Sequence, residues 1–190
     1  MKHFILSFLL LALTTGALST TAFAKNTVTV MSYNIRCGLC EPAESSHNWE
    51  KRKYFVAHLI KTHNPDVIGL QEAELFQVAD LVAMLPQYHW FGEGRDDGKT
   101  KGETTAVLYR KDKLQLLSAK TLWLSETPQQ VSRGWDAQLN RTYTKTQFIH
   151  LATQQSFYFI NTPSYTLFPI FGFNFISKLS VALVQGANIF

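Results

Sequence analysis

Pro65-Asp66-Val67-Ile68-Gly69-Leu70-Gln71-Glu72 decides the reading of this chain. Asn64-Pro65 ends whatever helix precedes it, because the residue before a proline is pushed out of the helical region. Val67 to Gln71 then reads as a short, apolar strand, the pattern of a buried strand. It ends on an amide and a carboxylate, Gln71 and Glu72. A second stretch, Val28 to Asn34 (VTVMSYN), is β-branched and apolar and ends on Ser32-Tyr33-Asn34-Ile35-Arg36. Strand ends deliver side chains to the rim of a sheet, where sites are built on rigid supports. A carboxylate beside an amide oxygen suits a hard divalent cation, which prefers oxygen ligands and keeps several waters. Asn34 and Glu72 are therefore the candidate metal ligands.

Working outward, Asn48 can cap a helix that begins at Trp49 with Glu50 in its first turn. Val56, Leu59, Ile60 and His63 give that helix one stripe facing a core. A second helix, about Glu74 to Leu85, carries Leu75, Val78, Ala79 and Val82 at helical spacing. Tyr88 to Phe91 is another strand. Residues 92–102 are glycine-rich and charged, read as a mobile loop without a phosphate-cradle motif. Strands follow at Thr104 to Tyr109, Leu114 to Leu124, Thr142 to His150 and Ser156 to Asn161. Strand, helix, strand, helix and then a run of strands points to an α+β sandwich rather than a doubly wound parallel sheet.

The chain of 190 residues has room for one ordinary domain. Its residues are 46% apolar and 17% charged. That balance excludes a disordered chain. A formal charge of +4 and a pI of about 9.1 suit a phosphate-bearing partner but do not single out nucleic acid. Residues 1–24 read as a secretory signal peptide: Lys2, an apolar run from Phe4 to Leu13, and Ala22-Phe23-Ala24 before Lys25. An uncleaved anchor is the alternative. Cleavage removes Lys2 and no acid, so the mature charge is +4 − 1 = +3. The expected address is periplasmic or secreted. Cys37-Gly38-Leu39-Cys40 could be a redox pair, half a zinc site, a local disulfide or two inert thiols. It runs into a loop rather than a helix, with only His47 nearby, which favours the last two. Residues 163–190 hold one charge, Lys178, and no clean period.

The ordered set Tyr33-Asn34-Ile35-Arg36, Trp49-x-x-Arg52-Lys53 and Pro65 to Glu72 resembles the endonuclease/exonuclease/phosphatase superfamily. The resemblance continues through Gly102-Glu103, Thr105 to Arg110, Leu122 to Pro128, Gly134-Trp135-Asp136 and Arg141, to Phe159-Ile160-Asn161-Thr162. It implies a DNase I-like four-layer α/β sandwich of two packed sheets with helices outside, truncated here after roughly the first half. It also implies Mg²⁺ (or Mn²⁺) on Asn34 and Glu72, and in-line attack of water on phosphorus. Tyr109, Arg141 and Arg36 would contact phosphate. The substrate would be a phosphoester, in nucleic acid, a phospholipid or an inositol phosphate.

In the family, Asn-Thr is followed by His-x-Asp-His and later by Asp-x-Asn and Asp-His elements. Here Asn161-Thr162 meets Pro163-Ser164-Tyr165, and no Asp, Glu or His follows. The expectation is an exported hydrolase whose residues 25–162 match the family and whose tail, 163–190, does not, as a frameshift near codon 162 or 163 would produce. Two rival readings are a non-catalytic exported module for phosphate-bearing ligands and a protein tethered to a membrane by residues 164–184.

Overall fold

The structure is a computed structural model that describes residues 27–163 and 181–185. The expected signal peptide and most of the tail, including most of the candidate tether, lie outside the described residues. Among the described residues no helix is long and apolar enough to cross a membrane.

The first half alternates strand and helix: β1 (Val30–Asn34), α1 (Trp49–His63), β2 (Val67–Gln71), α2 (Leu75–Met84) and β3 (Tyr88–Phe91). The second half is strands: β4 (Val107–Arg110), β5 (Leu114–Trp123), β6 (Thr142–His150), β7 (Ser156–Asn161) and β8 (Val181–Gln185). They form two four-stranded sheets, ordered β1-β2-β4-β3 and β5-β6-β7-β8. β1 and β2 run parallel, with Asn34 opposite Gln71, so both strands end at the same rim. The other strand pairings are antiparallel.

Asn48 caps α1 by accepting from the Lys51 amide at 3.1 Å, and Asn64 stops it in the left-handed region at φ 44°. The buried stripe is Trp49, Val56, Ala57 and Ile60. His63, expected on that stripe, faces solvent in the last turn, where a polar ring sits well beside unpaired carbonyls. α2 opens on a capping box between Glu74 and Gln77, which turns Gln77, Val78 and Leu81 inward and leaves Ala79 exposed. Both helices pack on one face of the first sheet, with Ile60, Val78 and Leu81 in one core with Ile68, Leu70 and Leu108. The opposite face meets the second sheet through Val67, Val107, Tyr109, Phe148, Phe157 and Phe159. The layers are therefore helices, sheet and sheet, and β2 is buried along its whole length between them.

Three departures from the expected elements have physical causes. The strand expected from Thr104 begins at Val107, because Thr104 makes only one bridge, to Ala73, and Thr105 turns its hydroxyl to Thr144 of the other sheet at 2.9 Å. The glycine-rich loop is strapped to itself and to the end of β5. Asp97 accepts from the Lys99 and Lys101 amides at 2.8 and 2.9 Å, and Trp123 Nε1 donates to the Arg95 carbonyl at 2.8 Å. Within the tail, Val181–Gln185 pairs with β7, where its apolar, partly β-branched residues suit a strand.

The sheets are also joined by a buried polar bolt. Asn161 Nδ2 donates to the carbonyls of Leu70 at 2.8 Å and Ala106 at 3.0 Å. Its Oδ1 accepts from Gln71 Nε2 at 2.7 Å. A buried amide with every group engaged is cheap to keep and costly to break. It lies beneath the strand end that carries Glu72.

Candidate metal centre

Parallel pairing sets Asn34 and Glu72 side by side at the ends of β1 and β2. Asn34 Nδ2 donates to Glu72 Oε1 at 2.8 Å, and the Asn34 Oδ1 accepts the Arg36 amide at 2.9 Å. Asn34 is exposed and Glu72 half-buried, so the pair opens to solvent from a rigid floor. The chain bends sharply just beyond both strands. Glu72 itself sits at φ 55° and Arg36 at φ 56°. That is the left-handed region, which residues other than glycine rarely occupy. Such conformations persist where the surroundings hold them, and they gather at functional sites.

The holding groups come from both helices. Arg52 of α1 donates to the carbonyls of Ile35, of Arg36 at 2.8 Å, of Cys37 at 3.0 Å and of His47 at 2.9 Å. Its guanidinium lies 5.3 Å from the Trp49 ring centroid, and burial pulls its pKa down from the ordinary arginine value. This gives the Trp-x-x-Arg spacing a physical meaning: tryptophan and arginine share a helix face, and the arginine fork gathers the backbone leaving β1. Gln77 of α2 donates to the Arg36 carbonyl at 3.0 Å and accepts the Glu74 amide at 2.9 Å. Cys37 and Cys40 are joined as a disulfide around a single 3-10 turn, with Cα atoms 5.4 Å apart. The Leu39 amide in that turn donates to Glu74 Oε2 at 2.9 Å.

The sequence-derived phosphate contacts fare unequally. Tyr109 does not join the pair. It sits opposite Val67, at the start of β2, whereas Glu72 follows its end. At roughly 3.3 Å per strand residue the two are about 16 Å apart along the strand. Tyr109 is 8% exposed, its ring packs 5.0 Å from the Phe148 ring, and burial pushes its hydroxyl pKa up. An apolar strand position reads alike from sequence whether it faces a core or a site. Arg36 reaches the rim but pairs with Glu41. Arg141, half-buried just before β6, shares the electrostatic neighbourhood of Glu72, Glu74 and Glu103.

Glu103, quoted above only as part of the resemblance, is an acid to which the sequence reading gave no role. It bonds Arg95 at 2.8 Å, and burial raises its carboxyl pKa more than Arg95 lowers it, with Glu72 adding to the rise. The bridge between Ala73 and Thr104 brings it to the rim, and only tertiary pairing could reveal that.

The oxygen donors of Asn34 and Glu72 fit Mg²⁺, which takes one or two carboxylate-type ligands and keeps its waters. Among the described residues no group of three His, Cys, Asp or Glu could hold a metal. A zinc-type cage of nitrogen and sulfur ligands is therefore not present among them.

Residues 31–173 match the family model described as the endonuclease/exonuclease/phosphatase family. A solved mannosyl-6-phosphatase from Bacteroides thetaiotaomicron is 39% identical with a TM-score of 0.67, covering 71% of this chain and 51% of its own. An endonuclease/exonuclease/phosphatase from Bacteroides vulgatus is 43% identical with a TM-score of 0.64, covering 68% and 49%. An uncharacterized protein, L388, from Acanthamoeba polyphaga mimivirus is 26% identical over 139 residues, 70% of this chain and 52% of its own. The chain spans about half the length of these relatives.

Proposed function

The chain belongs to the endonuclease/exonuclease/phosphatase family, and we propose that it forms the cation-holding half of an exported, Mg²⁺-dependent phosphoester hydrolase. The observation that carries this reading is the Asn34–Glu72 contact at 2.8 Å across the ends of two parallel strands. Mg²⁺ (or Mn²⁺) held there would supply neutralisation of charge developing on a phosphoryl oxygen. Asn34 and Glu72 would fix the cation against the sheet rim. Arg141 would face the phosphate group from the approach to β6. The resemblance at 39% identity to a mannosyl-6-phosphatase favours a sugar phosphate monoester over the nucleic-acid, phospholipid and inositol-phosphate substrates expected from sequence. The Cys37–Cys40 disulfide accords with export to an oxidising compartment.

No Asp, Glu or His occurs between Leu151 and Phe190, so these residues offer the attacking water no base. General acid–base help is worth about 10²–10⁴-fold. The chain by itself therefore binds the cation but turns over poorly. The test uses the mature chain and Glu72→Ala, with Mn²⁺ binding followed by electron paramagnetic resonance. Turnover is followed on bis-p-nitrophenyl phosphate, plasmid DNA and mannose 6-phosphate. Binding is expected for the wild type and not for the variant, with turnover equal in the two. Absence of Mn²⁺ binding would overturn the site, and robust Mg²⁺-dependent turnover abolished by Glu72→Ala would overturn the half-site reading.

A further inference from the structure

We infer that Gln77 is a positioning residue that locks together the two strand ends carrying Asn34 and Glu72, an inference that rests on the cation site proposed above. Gln77 stands one turn into α2, is wholly buried, and bonds to neither proposed ligand's side chain. Its amide nonetheless bonds to the backbone beyond both. Nε2 donates to the carbonyl of Arg36, two residues after Asn34, at 3.0 Å. Oε1 accepts the amide of Glu74, two residues after Glu72, at 2.9 Å.

A capping box explains only half of this arrangement. The bond from the Glu74 amide to the N3 side chain satisfies the start of α2. The bond to Arg36 does nothing for the helix. It crosses to the segment leaving a different strand and lands on a residue held at φ 56°. A conformation of that kind needs external support. The same carbonyl also accepts from Arg52 at 2.8 Å, so one oxygen is fixed from both helices at once. Space around the strut is closed: a Cβ added to Gly38 would stand 3.1 Å from Gln77 Cγ and Cδ, tighter than ordinary contact. The glutamine amide therefore has one seat and one orientation. A weakly held Mg²⁺ with few protein ligands depends on those ligands standing ready, because ordering them on binding subtracts from affinity.

The discriminating substitution is Gln77→Glu. It keeps an acceptor for the Glu74 amide, and so the helix cap, but sets an oxygen against the Arg36 carbonyl. On charge alone it would tighten cation binding, so weaker binding can only come from lost positioning. Arg52→Lys removes the other bond to the Arg36 carbonyl while keeping charge, and serves should Gln77→Glu fold poorly. Mn²⁺ affinity is measured on the mature chain, with amide hydrogen exchange at residues 35–40 and 72–75 in the absence of cation. Gln77→Glu is expected to weaken Mn²⁺ about tenfold and to speed exchange at Arg36 and Leu39 about tenfold beyond the change at the β6 and β7 amides, which report the general loss of stability that a buried oxygen set against a carbonyl brings. Wild-type affinity in folded Gln77→Glu, or unchanged exchange in both variants, overturns the inference. Failure of the wild type to bind Mn²⁺ would instead sink the hydrolase reading, and unchanged or faster exchange would still decide the strut.

Discussion

Replacing Asn161 by alanine should cost this fold about 3 kcal/mol, the middle of a range set by the bonds it makes. Asn161 is fully buried between the sheets and makes three hydrogen bonds of 2.7 to 3.0 Å. Each such bond contributes a net of about 0.5–1.5 kcal/mol, which sets a range of roughly 1.5–4.5 kcal/mol for the three. The losses are unequal. Gln71 Nε2 keeps the Gly69 carbonyl at 3.0 Å, and the Ala106 carbonyl keeps the Leu70 amide at 2.8 Å. The Leu70 carbonyl loses the Asn161 amide in a buried setting, so its desolvation dominates and the middle of the range applies. For a chain of this size that is a fall in melting temperature of roughly 6–12 °C. Asn161→Asp should cost at least as much, because it turns an oxygen toward two carbonyls. Urea unfolding of the mature chain, followed by tryptophan fluorescence, provides the measurement. A loss below about 1 kcal/mol with an unchanged m-value would show that the sheets are held by their apolar faces alone.

Two further outcomes are expected. Tyr109→Phe should leave Mn²⁺ affinity unchanged and stability within about 1 kcal/mol, whereas Tyr109→Ala should cost about 3–5 kcal/mol by emptying the space beside Phe148. A tenfold loss of Mn²⁺ or phosphate binding in Tyr109→Phe would return that hydroxyl to the site. Glu103 has a folded pKa raised chiefly by burial. Its contribution to stability is therefore fully present below the ordinary glutamate value of about 4.3 and is lost as pH rises through the raised value. Asp97, whose pKa is lowered chiefly by the Lys101 amide, contributes in the opposite sense, above the ordinary aspartate value and down to its own depressed one. Glu103→Gln should flatten the decline in unfolding free energy on the alkaline side of the carboxylate range, and a profile superimposable on the wild type would refute this.

Much of the architecture was legible because its signals are local. Asn48 before Trp49 and Asn64-Pro65 after His63 bracket α1 with chemistry that acts within one turn. Val67 to Leu70 carries no polar side chain because β2 is buried on both faces, and such a run needs no partner to be read. The positions of Asn34 and Glu72 at the strand ends were legible for the same reason: each strand is marked out by its own apolar pattern. Helix faces were read less well. The phase of α2 follows from the Glu74–Gln77 cap, which brings Leu81 inward in place of Ala79.

What remained was decided by contacts between segments far apart in the chain. Tyr109 lies in β4 and Glu103 just before it, yet one is packed among phenylalanines and the other is drawn to the rim by the bridge of its neighbour Thr104 to Ala73. Gln71 and Asn161 lie far apart in sequence and meet through one side-chain hydrogen bond. Gln77 is an ordinary third residue of a helix until the segment after Asn34 folds back over it. The sequence by itself determined most of the elements, because backbone propensity, capping and apolar periodicity act over a few residues, and its ordered motifs pointed to the family and the two proposed ligands. Only the tertiary structure decided which polar side chains brace that pair and which lie in the core, because a side chain's environment is set by the sheet pairing that surrounds it.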